Sequence, residues 1–264
     1  MKRLLSFALI LVLAISCSKK VEGPTQDQIL HATLWYQQSA EFKALSYQAF
    51  NVARMRLDLD AEMNVGKKEK RAVVVDVDET ILDNSPYQAD VIASNKPFDQ
   101  ESWTAWVKKE KAKALPGAVE FLNYATSKGV RVFYISNRIA ETEAESTYNN
   151  LKAVGLTLAK DDMLFKVKSS EKTDRRKMVT DQGYRIVMLM GDAMGDFNGD
   201  YGKKPHAEQK AQSDIDRERF GRDYIVLPNP MYGYWESAAY NYDYKLTEEE
   251  KFKARRASLI QSDK

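Results

Sequence analysis

Apolar and polar positions recur along the chain with two different periods. From Gln26 to about Met63, apolar residues such as Ile29, Trp35, Phe42 and Phe50 return every three or four positions, with no internal glycine or proline. This spacing is typical of an amphipathic helix, in which about 3.6 residues make one turn. We predict two packed helices in this segment, or one long bent helix.

Beyond a loop at residues 66–70, short apolar runs alternate with helical stretches. The predicted strands are Arg71–Val77, Val130–Ile135, Met163–Val167, Arg185–Met190 and Asp223–Leu227, and the predicted helices between them include Leu115–Lys128, Ala140–Val154 and Lys172–Gln182. Alternation of strands and helices indicates an α/β fold with a doubly wound parallel sheet, covered by helices on both faces.

The predicted elements suggest one large domain with a smaller helical region. We expect the main domain to span residues 69–264 and the N-terminal helical region to span residues 26–68. A helical insertion after the first strand, at about residues 83–114, would join those N-terminal helices. A chain of 264 residues, 44% of them hydrophobic, can bury one sizeable core.

The charge of the chain is nearly balanced, which bears on its partners. Charged residues make up 30% of the sequence, with both signs mixed, and the formal net charge is +2. Proteins that bind nucleic-acid polymers depend on attraction to phosphates and carry excess positive charge. The balance therefore argues against a nucleic-acid polymer as partner.

The first residues have the pattern of an export signal. Lys2 and Arg3 precede an apolar run from Leu4 to Ile15, which is too short for a comfortable membrane-spanning helix. The run leads into Cys17, the only cysteine of the chain, so no internal disulfide can form. We expect residues 1–16 to be a signal peptide and residues 17–25 to be a flexible tether.

The segment Leu13–Cys17 resembles the lipobox of bacterial lipoproteins, with Ala14 where that motif prefers leucine. The resemblance implies a lipid on Cys17 and an anchor in a bacterial membrane, expected to be the outer membrane, facing the periplasm or the cell surface. Loss of the two basic residues before Cys17 brings the net charge near zero, so anchoring would depend on acyl chains. An ordinary cleaved signal with an incidental cysteine is the alternative.

Polar side chains follow three of the predicted strands, at the edge where parallel sheets bind ligands. Asp76 and Asp78 follow the first strand, Ser136 and Asn137 follow the second, and Asp192 follows the fourth. The full candidate set, in chain order, is Asp76, Asp78, Ser136, Asn137, Lys172, Asp192 and Asp196. These groups fit the requirements of phosphoryl transfer.

Two of the aspartates are assigned to covalent chemistry. We expect Asp76, at the strand tip, to attack phosphorus and form an aspartyl phosphate. We expect Asp78 to protonate the departing alcohol and later to deprotonate water. On a regular extended strand, residues separated by one position point to the same face, so Asp76 and Asp78 can serve different tasks only if the strand bends where it ends.

The remaining groups are assigned to charge compensation. We expect a hard cation, Mg²⁺, to be held by the carboxylates of Asp76 and Asp192 and by the backbone carbonyl of Asp78. Asp196 would orient a water bound to this metal. Lys172 adds positive charge to the carboxylate cluster. The hydroxyl, amide and ammonium groups of Ser136, Asn137 and Lys172 would hold the phosphate oxygens.

The order Asp-x-Asp-x-Thr, Ser, Lys and Gly-Asp-x-x-x-Asp resembles the four motifs of the haloacid-dehalogenase (HAD) superfamily. More narrowly, Val74–Tyr87 and Met190–Phe197 resemble the two signatures of the class C bacterial acid phosphatases, which are lipoproteins, although Ala193 and Met194 depart from the second. The segment 168–176 resembles the third motif, where Lys168 is the rival of Lys172 for the phosphate-site lysine.

The resemblance implies a HAD-like core and a Mg²⁺-dependent acid phosphatase that hydrolyses phosphate monoesters, with nucleoside monophosphates as substrates in the manner of a 5'-nucleotidase. Trp103 and Tyr232 match the family's aromatic positions and would stack on a planar base; core positions are the alternative for both. For Trp106 and Trp235 we favour core positions. The resemblance also leaves room for a homodimer.

Three other functions remain open from the sequence. A dehalogenase would not need a proton donor at Asp78, which argues against it, whereas a phosphotransferase would use the same residues. A surface lipoprotein that binds a ligand such as haem on the same fold is the alternative from outside the enzymes. The complete acid, base and metal set favours catalysis.

Overall fold

The structure is a computed structural model that describes residues 26–262. The expected signal peptide, the lipidation site at Cys17 and the tether at residues 17–25 lie outside the described residues. Within the described part of the chain, no helix combines the length and the apolar character that a membrane crossing requires.

The N-terminal segment forms two helices, α1 (Leu30–Gln38) and α2 (Ala40–Met63), after a 3-10 turn at Gln26–Ile29. They are separated at Ser39, whose backbone is extended and whose Oγ accepts a hydrogen bond from Phe42 N at 3.0 Å. Serine is favoured at this position because its oxygen satisfies an amide that the first helical turn leaves unpaired. Of the two predicted forms, the pair of packed helices is the one observed.

The centre of the molecule is a five-stranded parallel sheet, which confirms the predicted fold class. Its strands are β1 (Lys70–Val75), β4 (Arg131–Ile139), β5 (Met163–Lys166), β6 (Tyr184–Gly191) and β7 (Tyr224–Val226), in the order β5-β4-β1-β6-β7. Strand β1 lies in the middle and pairs with β4 and β6 in parallel register. The residues that follow β1 therefore reach the centre of the carboxyl edge.

Both faces of the sheet are buried. Val73 and Val75 of β1 point into one apolar core, and Ala72 and Val74 point into the other. The first core includes residues of α2 and α5 (Ala118–Ser127), and the second includes Val179 of α7 (Thr173–Asp181). Burial on both sides explains the apolar run of β1, because none of the four positions from Ala72 to Val75 faces water.

The insertion after β1 contains α3 (Ser85–Ser94) and α4 (Gln100–Val107). A two-stranded antiparallel ribbon of β2 (Leu82–Asp83) and β3 (Lys113–Ala114) brings the two ends of the insertion together. Helix α1 packs against α3, so the N-terminal helical segment and the insertion are in contact.

The helices in the rest of the chain are α6 (Ala140–Ala153), α8 (His206–Ile215), α9 (Tyr234–Ser237) and α10 (Glu248–Ala257). Helix α6 matches its prediction to within one residue. Helix α8 was not predicted, because its sequence, HAEQKAQSDI, has almost no apolar periodicity. It begins directly after Pro205, a residue that cannot continue a helix from the preceding segment.

Candidate active site

The chain turns sharply where β1 ends, as the sequence analysis requires. Asp76 N still donates to Met190 O of β6 at 2.9 Å, but the amides of Ile81 and Leu82 both turn back to Val77 O, each at 2.9 Å. Glu79 adopts a left-handed backbone conformation (φ 55°), which a non-glycine residue rarely takes. This turn aims the carboxylates of Asp76 and Asp78 at different surroundings.

Three carboxylates meet at the edge of the sheet. Asp76, Asp192 and Asp196 each offer an oxygen, and these oxygens all lie within 4.8 Å of one another. Asp196, which we expected to act only through a metal-bound water, thus belongs to the same carboxylate group. Clustered carboxylate oxygens are the hard ligands that Mg²⁺ prefers, so the donor set fits the expected cation.

Lys172 supplies countercharge inside this cluster. Its side-chain nitrogen bonds to Asp76 Oδ1 and lies 2.6 Å from Asp196 Oδ1, and the residue is only 4% exposed. Burial lowers the pKa of Lys172, but the charges of Asp196 and Asp76 outweigh it and hold the pKa above its usual value. Lys168, the rival for this role, is exposed.

The carboxyl groups of Asp76 and Asp192 are harder to ionise than those of free aspartates. Burial raises the pKa of Asp76 well above its usual value, with Lys172 opposing and the neighbouring carboxylates reinforcing the rise. Burial, reinforced by the charge of Asp196, raises the pKa of Asp192 to about 7. A bound dication would favour the ionised forms, which is the charge problem that a metal solves in such clusters.

Neighbouring groups hold Asp192 and Asp196 in place. Asp192 accepts hydrogen bonds from Thr80 Oγ1 at 3.3 Å and from Asn229 Nδ2 at 2.8 Å, one on each carboxylate oxygen. Asp196 Oδ2 accepts from the backbone amide of Ala193 at 3.0 Å, so the departure at Ala193 leaves that bond intact. A side chain on Gly191 would overlap with Asp196, which explains the glycine there.

Asn229 was not identified from the sequence, although it follows the fifth strand by three residues. Asp76, Ser136 and Asp192 were identified because they follow strands whose carboxyl ends form the ligand-binding edge. The same rule applies to β7, so it could also have identified Asn229.

Ser136, Asn137 and Arg138 lie where the register of β4 against β5 shifts, between Ile135 and Ile139. Ser136 and Arg138 are buried there, and Asn137 is exposed. Arg175 of α7 donates to Ser136 O and to Asn137 Oδ1, both at 2.6 Å.

Asp78 is set apart from the three clustered carboxylates. Its side chain pairs with Arg138, whose Nη2 lies 2.8 Å from Asp78 Oδ1, and it also accepts from Asn84 Nδ2 at 2.9 Å. The carboxylate of Asp78 is thus paired with the guanidinium of Arg138. This pairing does not involve the backbone carbonyl of Asp78, which is the group expected to bind the metal. Sequence reasoning assigned no role to Arg138 or Asn84.

The two aromatic candidates lie beside this network. Trp103 packs edge-on against Tyr87 with ring centroids 5.2 Å apart, and the guanidinium carbon of Arg138 lies 5.6 Å from its ring centroid. Tyr232 is partly exposed, and its hydroxyl donates to the buried carboxylate of Glu79. Trp103 therefore borders the pair formed by Asp78 and Arg138, and Tyr232 is tied to the residue after Asp78.

The two tryptophans expected in the core differ. Trp106 is 8% exposed and its indole nitrogen donates to Asn84 Oδ1 at 2.9 Å, which confirms the expectation. The expectation for Trp235 is wrong, because this residue is 49% exposed. Helix α9 is only four residues long, and the indole covers the backbone of Gly233 instead of entering a core.

Comparison with known proteins places these residues in a family. A family model described as HAD superfamily, subfamily IIIB (Acid phosphatase) matches residues 14–235. Among solved structures, the class C acid phosphatase from Bacillus anthracis is 40% identical, with a TM-score of 0.83, and the match covers 89% of this chain and 98% of that one. The same enzyme with tungstate bound gives a TM-score of 0.84 at the same identity and coverage.

Plant proteins are similar over shorter regions. Acid phosphatase 1 of Solanum lycopersicum is 28% identical over 176 residues, which make up 64% of this chain and 62% of that protein. A stem 31 kDa glycoprotein of Glycine max is 30% identical over 162 residues, and the match spans 57% of its length. The stem 28 kDa glycoprotein of Glycine max is 30% identical over 217 residues, 78% of this chain and 75% of that protein.

The position of Lys172 leads to a prediction about stability. Lys172→Met should lower the free energy of unfolding of the metal-free protein by about 3–5 kcal/mol, because it leaves Asp76 and Asp196 buried without their cation. Lys168→Met is the matched control, and an exposed lysine should change stability by less than about 0.5 kcal/mol. Urea unfolding followed by circular dichroism measures both. Equal effects of the two substitutions would show that the buried pairing contributes nothing.

Proposed function

Because the chain belongs to the acid phosphatases of HAD superfamily subfamily IIIB, we propose that it hydrolyses phosphate monoesters with Mg²⁺ as cofactor. The observation that carries this proposal is the environment of Asp76. A buried carboxylate at the tip of the central strand is paired with a buried lysine and lies beside two further carboxylates. This is a suitable place for a tetrahedral phosphoryl group to meet a nucleophile and its compensating charges.

The proposed reaction has two steps. An oxygen of Asp76 forms a bond to phosphorus while the ester oxygen leaves, and Asp78 gives its proton to that oxygen, so an aspartyl phosphate and an alcohol result. Asp78 then takes a proton from water, whose oxygen attacks phosphorus and releases Asp76 and inorganic phosphate. The separate surroundings of Asp76 and Asp78 support this division of work.

The carboxylates of Asp76, Asp192 and Asp196 are the groups that would hold Mg²⁺, with the carbonyl of Asp78 as a further ligand. When bound, the cation would offset the charge of the phosphoryl oxygens and of the carboxylates around them. The buried ammonium group of Lys172 would also offset the negative charge of these oxygens. Ser136 and Asn137 would donate hydrogen bonds to the phosphoryl group.

The proposed substrates are nucleoside monophosphates. Trp103 and Tyr232 would stack on a planar base, and each ring is already fixed by a neighbour, through Tyr87 and Glu79 respectively. A ring that is held before binding loses little freedom when a base stacks on it. The tungstate complex of the similar Bacillus anthracis enzyme is consistent with a site for a tetrahedral oxyanion.

We also propose that the protein is lipid-anchored to a bacterial membrane, with the outer membrane as the expected location. The support is the lipobox-like segment that ends at Cys17. In that arrangement residues 17–25 would link the acyl-modified end to α1, and the active site would face the periplasm or the cell surface.

The proposed nucleophile gives the main test of the function. Asp76→Asn should abolish hydrolysis of p-nitrophenyl phosphate. The loss of rate should exceed that for removal of a general acid, which is about 10²–10⁴-fold. Asp200→Asn, a change at an exposed aspartate, is the control and should retain activity. Chelation by EDTA should stop the wild-type reaction and added Mg²⁺ should restore it.

Near-wild-type turnover of Asp76→Asn would contradict the covalent mechanism. Activity that survives EDTA would contradict the role of the metal. If added alcohols such as glycerol yield new phosphate esters in place of free phosphate, the enzyme is a phosphotransferase that uses the same residues.

The stacking proposal predicts a substrate-specific loss. Trp103→Ala should lower kcat/KM for a nucleoside monophosphate by about 5–100-fold, since base–aromatic stacking contributes about 1–3 kcal/mol per base. For a small alkyl phosphate, which has no ring to stack, the loss should be much smaller, and Trp103→Phe should retain most of the nucleotide activity. Equal losses on both substrates would rule out stacking as the role of Trp103.

The anchor proposal is tested in cells. Wild-type protein produced in a bacterium should incorporate a labelled fatty acid and sediment with membranes, because acyl chains supply the apolar surface for binding. Cys17→Ser should lose the label and appear in the soluble fraction. Unlabelled wild-type protein that is nevertheless exported would show that the segment is an ordinary cleaved signal.

A further inference from the structure

Arg138 is a buried cation that the proposed reaction does not use. It is 2% exposed and lies in β4, two residues beyond Ser136. We propose that Arg138, together with Asn84, is a positioning residue that fixes one carboxylate oxygen of Asp78 and leaves the other to transfer the proton. This inference rests on the proposed function, since it gives a role in that reaction to a residue to which the proposed mechanism assigns none.

The hydrogen bonds to Asp78 are distributed unequally between its two oxygens. Oδ1 accepts from Arg138 Nη2 at 2.8 Å, from Arg138 Nε at 3.0 Å and from Asn84 Nδ2 at 2.9 Å. Oδ2 has one longer contact, at 3.3 Å from Arg138 Nε. A carboxylate oxygen offers about two lone pairs, so Oδ1 is saturated by donors and cannot carry the proton. The proton is therefore directed to Oδ2.

The surroundings make this orientation rigid. Arg138 Nη1 donates to Thr147 Oγ1 at 3.0 Å, and Asn84 Oδ1 accepts from Trp106 Nε1 at 2.9 Å. The side chain of Arg138 is 1% exposed, whereas that of Asp78 is 18% exposed, so the pair opens only on the Asp78 side. A planar guanidinium held at three corners sets the plane of the carboxylate that it binds.

A purely structural ion pair would share much of this geometry, so the test has to separate positioning from stability. Protonation of the leaving oxygen matters most when the leaving alcohol is poor. p-Nitrophenolate departs without a proton, but an alkoxide does not. A misplaced proton donor should therefore harm an alkyl phosphate much more than p-nitrophenyl phosphate, whereas general damage to the site should harm both equally.

The experiment compares kcat/KM for the two substrates, because this constant covers the steps up to formation of the aspartyl phosphate. Arg138→Met and Arg138→Lys should lose about 10²-fold on the alkyl phosphate, the scale of a small misplacement of a reacting group, and less than about tenfold on p-nitrophenyl phosphate. Asp78→Asn should show the same split, and a larger one, because it removes the donor itself.

Arg175→Lys is the matched control. Arg175 of α7 is also buried, but it contacts Ser136 O and Asn137 Oδ1 instead of Asp78, so its replacement should lower both rates by the same factor. Thr147→Val removes the acceptor of Arg138 Nη1 without touching Asp78, and it should give a weaker split in the same direction. This milder change keeps the test valid if the Arg138 variants do not fold.

The outcomes separate the two proposals. The positioning role would be overturned if Asp78→Asn lost more kcat/KM on the alkyl phosphate than on p-nitrophenyl phosphate while the Arg138 variants lost the same factor on both. If the Arg138 variants do not fold, equal losses for Thr147→Val would have the same meaning. Either result would leave the phosphatase proposal intact. A wild-type protein that hydrolyses neither substrate, with Mg²⁺ present, would instead overturn the proposed function itself.

Discussion

The buried contact of Lys172 with Asp76 and Asp196 is the interaction on which the site depends. Removing an ammonium and two carboxylates from water is costly, and only close geometry and further hydrogen bonds can offset that cost. Helix α7 meets this condition because Arg175 and Arg176 follow Lys172 on the same helical face, at spacings of three and four. Arg175 donates to Ser136 O and Arg176 to Asp196 O, at 2.6 and 2.9 Å. One helix thus joins the ends of three neighbouring strands.

Arg138 is a second buried cation, and it compensates the charge of Asp78 as Lys172 compensates that of Asp76. Arg138 binds Asp78, while Lys172 binds Asp76, so two carboxylates one residue apart are held in different electrostatic surroundings. The bent backbone at Glu79 is what allows this separation. In the reaction we propose, one aspartate attacks phosphorus and the other transfers a proton, and these two tasks need different surroundings. The division of roles is therefore a property of the partners and not of the aspartates alone.

The sequence predicted the elements whose signal is local. The run Val73–Val75 marks a strand buried on both faces, and polar residues directly after each strand identify the carboxyl edge. Partners that depend on the folded arrangement were not predictable in this way. Nothing in the sequence distinguishes Arg138 from other charged residues. Its pairing with Asp78 can be recognised only when β4 lies beside β1. Asn229, by contrast, lies three residues after β7, where the rule for strand ends could have identified it. Trp235 lies on a four-residue helix, which is too short for a periodic pattern to show which side chains are exposed.

Helix α1 contributes a buried side chain to the surroundings of the acidic residues that follow β1. Tyr36 of α1 is buried, and among the described residues its hydroxyl has no hydrogen-bond partner. Burial raises its pKa well above the usual value, and Glu79 and Asp83 reinforce the rise. A neutral phenol adds no charge to a region that already holds excess negative charge, while its ring fills space against Phe42, 3.8 Å away between centroids. The phenol of Tyr36 thus borders the acidic residues without adding another ion that would need compensation.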